Sequence, residues 1–396
     1  MRVLSVTAQK PCSTGSGVYL TEVVRSLAKM GVSQAVVAGV TREDRVDMPE
    51  GVTVYPVYFS SEKLPYPVVG MSDEMPYTST RYRDMTEEMA GQFKAAFLEV
   101  LDEAIEKENP DIILCHHLYY LTALIRAHYP AKKVYGFCHN TDLRQMESIL
   151  FERNFIRQEI PKLDRIFALQ EAQKEKIKKI YPVSEKQMTV IGTGYNSEVF
   201  KKTGIKLSRK DGKIRMIFAG KITQKKGVKS LLRALNLLDY EKEKIQLILA
   251  GGAGNLVEYE EIKELADGCR YPVVFAGCVT QSRLAELYND CDIFVLPSMY
   301  EGLPLTVIES LACGDRVVMT KLEGIAEWLA DMVPDADIRY VLPPGMKGTD
   351  EPLEEELPEF ESRLAEALRE AIEEKDTKEC DVSRISWQKI AREVIR

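Results

Sequence analysis

The sequence predicts an α/β protein of two successive units, each a parallel sheet covered by helices. Three observations carry this. Short apolar runs alternate with longer amphipathic stretches along the chain, the pattern of helices layered over parallel sheets. At 396 residues the chain exceeds what one ordinary core accommodates and fits two domains. A polar stretch at 201–213 interrupts the alternation, and a fresh apolar strand follows it.

Taken in order, residues 2–6 open as a strand, a glycine loop follows, and a helix is expected at 18–30. Residues 35–40 and 52–58 are β-branched runs read as the next strands. A helix at 87–106 leads to buried strands at 111–114 and 133–138, the second ending in His139-Asn140. Strands at 165–168 and 188–191 close the first unit, predicted as 1–200. The 201–213 stretch is read as a hinge. The second unit, 201–380, carries strands at 215–219, 246–250, 272–276, 293–296 and 316–319. A final amphipathic helix at 385–395 presents Trp387, Ile390 and Val394. Residues 63–85, with Tyr66, Met71, Met75, Tyr77 and Tyr82, do not fit the alternation. Such an insertion is either a lid or acceptor-binding loop, or packed surface irregularity, and both readings stand.

Composition narrows the function classes. An apolar share of 45% and a charged share of 29% describe a soluble globular protein. No run is long enough to cross a bilayer, and a chain opening directly as a strand is expected to lack a secretory leader. Eight cysteines are scattered without a C-x-x-C pair, so buried reduced thiols are expected rather than zinc ligands. The net charge of −8 argues against nucleic acid, which needs a basic footprint. The acidic stretch 350–376 reads as a solvated helix and its approach. The basic amphipathic stretch from Lys174 to Lys179 is a candidate contact for anionic lipid.

Chemistry concentrates in the second half. Glu301 stands in a Gly302/Pro304 loop and Glu309 one turn inside the apolar helix that follows. Pro304 suits a helix start, and the outward amides of such an end favour an anion. Carboxylates on either side suit two hydroxylated rings joined by phosphates. Lys221 and Lys226, in Gly220-Lys-Ile-Thr-Gln-Lys-Lys-Gly227, are point charges beside a strand end, suited to a diphosphate. In the first half, Gly15 and Gly17 of Ser13-Thr-Gly-Ser-Gly-Val18 allow close backbone approach of a phosphate or sugar. A dinucleotide reading of that turn lacks both a third glycine and an acid ending the second strand. The Gly251-Gly252-Ala253-Gly254 cluster needs only a turn to explain it. His139 ends a strand, and His116 and His117 end another; packing and ligand contact both remain open for them. Asp290-Cys291-Asp292 and Asp335-Ala336-Asp337 spell D-x-D. Lysines with a helix terminus already neutralise a diphosphate, so no metal is expected.

The Glu301–Glu309 spacing lies between Tyr288-Asn-Asp-Cys-Asp-Ile-Phe-Val-Leu-Pro-Ser298 and Ser310-Leu-Ala-Cys-Gly314. Together these resemble the E-x7-E element of family 4 retaining glycosyltransferases of the GT-B fold. Residues 190–196, Gly324-Ile-Ala-Glu327 and Ser386-Trp387 extend the likeness. The resemblance implies two Rossmann-like domains whose parallel sheets face a cleft, with residues 381–396 returning to the N-terminal domain. It implies retaining transfer of a hexose-type sugar from a UDP- or GDP-sugar to an acceptor hydroxyl, with no metal or other cofactor and a cytoplasmic location, peripheral at most to the inner membrane face. Catalytic roles are implied for Glu301, His139, Lys226 and Lys221. Donor contacts are implied for Gly17, Lys221, Lys226, Val279, Leu305, Thr306 and Glu309. Gly15, Ser16, His117, Asp142 and Leu303 are implied on the sugar or acceptor side, with Arg144 a further candidate. Lys221 replaces the family's arginine and Arg316 its proline. A sugar-nucleotide epimerase or hydrolase on the same fold, a non-catalytic partner subunit and a nicotinamide oxidoreductase are the alternatives.

Overall fold

The computed structural model describes residues 1–11, 13–73, 75–204, 206, 211–348, 351–374 and 380–396. Cys12 and parts of the 201–213 and 350–376 stretches lie outside the described residues. The chain forms two compact units, Met1–Gly194 with Ser386–Arg396, and Tyr195–Ile385.

The first unit runs β1 (Arg2–Thr7), α1 (Gly15–Lys29), β2 (Ser33–Val40), β3 (Thr53–Tyr58), the short β4 (Val69–Gly70) and β5 (Thr80–Arg81), then α2 (Glu87–Glu108). It continues with β6 (Ile112–His116), α3 (Tyr120–His128), β7 (Lys133–Phe137), α4 (Thr141–Ser148), α5 (Arg153–Glu159), β8 (Arg165–Ala168), α6 (Glu171–Ile180) and β9 (Met188–Val190). Seven strands form one sheet in the order β3-β2-β1-β6-β7-β8-β9, and every pairing is parallel. Strand β6 is buried along its whole length, which is why it reads as a continuous apolar run rather than an alternating one. Helix α1 begins earlier than the 18–30 expectation. Thr14 caps it by accepting the Gly17 amide at 3.1 Å, a strong start signal, so Gly15 and Gly17 occupy the first turn instead of a loop.

The 63–85 insertion is packed. Leu64, Tyr66, Val69, Met71 and Tyr82 join the main core with Phe93 and Phe97 of α2, and Tyr66 donates to the Met89 carbonyl at 2.7 Å. Helix α6 pairs two of its lysines with glutamates. Lys174 bridges Glu171 and Glu185, and Lys178 bridges Glu175 and Glu185. These pairs offset part of the basic face suggested for lipid. No helix among the described residues is long and apolar enough to cross a membrane.

The second unit runs β10 (Ile214–Ala219), α7 (Val228–Asn236), β11 (Ile245–Ala250), α8 (Leu256–Asp267), β12 (Val273–Gly277), α9 (Gln281–Asp290) and β13 (Ile293–Leu296). It then adds α10 (Leu305–Ala312), β14 (Arg316–Thr320), α11 (Ile325–Met332), β15 (Ile338–Val341), a small antiparallel pair β16 (Met346–Lys347) and β17 (Glu351–Pro352), and α12 (Leu357–Glu373). Its six-stranded sheet, β12-β11-β10-β13-β14-β15, is again wholly parallel.

The described part of 201–213 is fastened to this second unit rather than serving as a hinge. Thr203 donates its amide and hydroxyl to Asn289 Oδ1 at 2.7 and 2.8 Å, and Lys206 pairs with the buried Asp315 at 2.5 Å. Phe200 is buried beside Tyr288. The division therefore falls at Gly194/Tyr195, ahead of the expected 200/201. The last helix, α13 (Trp387–Val394), belongs to the first unit and packs on α1. A Cβ on Gly194 would stand 2.5 Å from the Trp387 ring, so only glycine admits the indole there.

Candidate active site

In a doubly wound sheet, ligands bind beyond the carboxyl ends of the strands where the strand order reverses. In the second unit that reversal lies between β10 and β13, hydrogen-bonded neighbours in parallel register. The segments leaving Ala219 and Leu296 therefore emerge at one edge. One carries Lys221 and Lys226; the other carries Glu301 and leads to α10.

The two segments meet. Lys226 Nζ lies 2.6 Å from Glu301 Oε1, with side chains 26% and 13% exposed, and the Met299 amide donates to the Lys225 carbonyl at 3.0 Å. Gly227 has φ +73°, and a Cβ there would lie 2.0 Å from the Pro297 carbonyl oxygen. Only glycine permits this approach of backbone to backbone. The lysine turn is also built onto the loop after β11. A Cβ on Gly251 would lie 1.7 Å from the Gly220 carbonyl oxygen, and the Ile222 amide donates to the Gly252 carbonyl at 3.0 Å. The Gly251-Gly252 cluster thus does more than turn the chain. Thr223 accepts the Lys226 amide at 3.3 Å, and Glu258 Oε1 accepts the Gln224 amide at 2.6 Å.

Helix α10 begins with Pro304 as its capping residue, one position earlier than a first-turn proline, and no side chain caps it. Its opening residues Leu305 and Thr306 are half-buried, while Leu303 and Glu309 are buried. Val279, half-buried, lies in the segment after β12. Lys221 follows Gly220 directly and is half-buried.

Both D-x-D pairs precede their strands, β13 and β15, and so lie at the opposite edge of the sheet. Asp292 accepts the Arg215 amide at 2.9 Å and Asp290 faces the Arg215 guanidinium at 3.5 Å. Asp337 pairs with Arg339 at 2.6 Å and faces Arg316 at 3.7 Å.

In the first unit the strand order reverses between β1 and β6, and the segment after β7 lies beside them. Ser16, in the first turn of α1, donates to Gln9 Oε1 at 3.4 Å. A Cβ on Gly15 would meet no atom within 4 Å. His116 Nδ1 and His139 Nε2 stand 3.0 Å apart. Tyr19 sets its edge against His139, and Trp387 packs on Tyr19 with centroids 4.9 Å apart. His117 adopts φ +77° and Asn140 φ +73°, unusual for residues bearing side chains. The His117 amide donates to the Phe137 carbonyl at 3.0 Å and its carbonyl accepts the Thr122 hydroxyl at 2.5 Å, which holds the turn. Burial pushes the His116 imidazole down to about 3, with His117 adding to it. Burial also lowers His117 and His139, the latter further by its two imidazole neighbours. The three rings are neutral at physiological pH.

Asp142 differs from its expected role. It is wholly enclosed and accepts the amides of Leu118 at 2.7 Å and of His139 and Leu143 at 3.2 Å. It organises the turns carrying His117 and His139 and offers no surface to an acceptor. Arg144 lies 3.7 Å from Asp73. Sequence reasoning missed Tyr19, Gln9 and Glu258. Only Glu258 left a signal: Asn255 followed by Glu258 has capping-box spacing, but the carboxylate reaches Gln224 instead.

Comparison with known proteins agrees with this architecture. The family model "Glycosyltransferase Family 4" matches residues 13–199, and "Glycosyl transferases group 1" matches 200–379. An uncharacterized glycosyltransferase of Methanocaldococcus jannaschii is 29% identical over 172 residues, 41% of this chain and 44% of that protein. The match thus spans less than half of that curated relative. Sucrose-phosphate synthase from Thermosynechococcus elongatus shares the fold with TM-score 0.71 at 15% identity, covering 100% of this chain and 97% of that one. Anabaena HepE, solved with UDP and glucose, has TM-score 0.63 at 15% identity, covering 100% and 98%. Two parallel-sheet α/β units and these structural likenesses give the chain the GT-B fold. The chain belongs to the family 4 glycosyltransferases.

Proposed function

We propose that this protein transfers a hexose-type sugar from a UDP- or GDP-sugar to an acceptor hydroxyl, retaining the anomeric configuration and using no metal. The observation that carries the reading is the contact of Lys226 with Glu301 at 2.6 Å, beside the start of α10. It sets a cation suited to a diphosphate against a carboxylate suited to sugar hydroxyls, just ahead of a helix start that no side chain caps. The Anabaena neighbour's complex with UDP-glucose is a precedent for such a donor on this fold.

Chemistry follows from charge. Breaking the anomeric C–O bond leaves negative charge on the β-phosphate, which Lys226, Lys221 and the opening amides of α10 stabilise where it develops. Glu301 passes Lys226 to the diphosphate and orients the sugar; Glu309 holds the ribose hydroxyls, and Val279 borders the nucleoside. The acceptor oxygen forms the new bond to the anomeric carbon on the same face. Its proton goes to the departing phosphate oxygen, so no nucleophilic carboxylate is required. His139 is read as a ligand of a sugar oxygen, with Gly15, Ser16 and Gly17 providing close backbone approach. A thermal-shift screen of UDP-, GDP- and ADP-sugars tests the reading. At least one should raise Tm, and in the presence of acceptors yield an α-linked product from an α-linked donor. No shift with any of the three would overturn it.

A further inference from the structure

The histidine pair of the first unit carries one inference more. His116 Nδ1 and His139 Nε2 are 3.0 Å apart, with an interplanar angle of 13°. Neutral imidazoles this close share one proton between them, and the ring that owns it fixes the tautomer of both. Were His139 the donor, His116 would carry its own proton on Nε2. That atom is buried without a hydrogen-bond partner among the described residues, so a donor would be stranded there. Were His116 the donor, Nε2 would be a bare lone pair. Stranded N–H groups are the rarer case in protein interiors, and an unmet buried donor is costly.

We infer that His116 donates from Nδ1 and so locks His139 in the tautomer with its proton on Nδ1, making His116 a positioning residue. The surroundings do not offset this choice. The Tyr19 hydroxyl is committed to the Gly192 carbonyl at 3.1 Å, and the Asp142 carboxylate to backbone amides. Phe137 stacks on the His116 face, with centroids 4.8 Å apart. The ring face thus meets aromatic surface, and Nε2 has no acceptor among the described residues. Both rings are neutral because burial disfavours their charged forms. The functional consequence rests on the glycosyl-transfer reading. His139 then offers a sugar oxygen an N–H donor and cannot take a proton from it.

The chain has four histidines, few enough for long-range 1H–15N correlation spectra of the imidazoles in the 15N-labelled full-length protein at pH 7.5. His139 is assigned by its loss in His139→Gln. The expected spectrum has Nδ1 protonated and Nε2 bare in both His116 and His139. An Nε2–H His139 would overturn the inference, and so would averaged nitrogen shifts. In His116→Phe, which keeps the stack on Phe137, His139 should shift towards the Nε2–H form; an unchanged His139 pattern would also refute the lock. If that variant fails to fold, the wild-type spectrum still decides. The spectrum needs no sugar nucleotide. Failure of the transfer reading would leave it intact, and a wrong tautomer would leave that reading standing.

Discussion

Replacing Lys226 and replacing Glu301 should move diphosphate binding in opposite directions. Lys226→Met removes a cation and leaves the 13% exposed Glu301 without the ammonium 2.6 Å away, so an arriving diphosphate loses an attraction and meets a carboxylate no longer countered by Lys226. Two unit charges about 4 Å apart interact by about 4 kcal/mol at an effective dielectric of about 20. Lys226 is 26% exposed, so solvent screening reduces this. A charge-assisted hydrogen bond of about 1.5–3 kcal/mol is the better guide, equivalent to roughly ten- to hundredfold in affinity. Glu301→Gln instead releases Lys226 from its ion pair and removes the repulsion. It should keep or strengthen diphosphate binding while transfer to acceptor falls. Isothermal titration with inorganic pyrophosphate and with UDP, GDP and ADP measures both variants. Loss within threefold for Lys226→Met, or equal loss in Glu301→Gln, would refute the proposed division of labour.

Three further outcomes are expected. Gly227→Ala puts a Cβ 2.0 Å from the Pro297 carbonyl oxygen at φ +73°, and should lower stability by about 2–3 kcal/mol, read as a fall in Tm; an unchanged Tm would contradict it. Glu258→Ala frees the Gln224 amide held at 2.6 Å and should weaken pyrophosphate binding about fivefold, with Glu258→Gln recovering most of it because an acceptor is restored; equal loss in both would show that the amide bond does not matter. The depressed histidines make the first unit acid-sensitive. Their folded values lie below the ordinary 6.5, so stability is complete above pH 6.5 and is lost as pH falls from there towards about 3 for His116. Each contributes a slope of about 1.4 kcal/mol per pH unit. Unfolding midpoints constant between pH 6.5 and 5 would show the rings are not buried neutral.

The strands were legible because burial on both faces demands short runs of apolar residues, as Ile112–Cys115 of β6 and Ile293–Leu296 of β13, and no surface pressure dilutes that pattern. What local reading lost, long-range side-chain contacts decide. The 201–213 stretch looks like a linker by composition, yet the Asn289 amide, far along the chain, ties Thr203 down. The aromatic 63–85 segment suggests a lid by content, and its rings fill the core against α2. Glycines suggested a loop before α1, but Thr14 supplies a cap that admits them into the first turn. The His116–His139 bond escapes any spacing rule, since it depends on neighbouring strands β6 and β7 ending together.

Strand polarity explains why one acidic motif was separable from another. In a parallel sheet every strand's carboxyl end lies at one edge, so a residue's place before or after its strand determines which edge it occupies. Lys226 follows β10 and Glu301 follows β13, which are direct neighbours; their encounter is a geometric consequence of two short loops leaving adjacent strand ends. Asp290 and Asp292 precede that same β13 and stand at the far edge, where Arg215 at the entrance of β10 meets them. Composition alone treats these carboxylates as equivalent. Their position relative to a strand's direction assigns Glu301 to the cation turn and the aspartates to an arginine across the sheet. Crevices of this kind open at the carboxyl ends of strands whose order reverses, and between β10 and β13 that is the edge carrying Glu301.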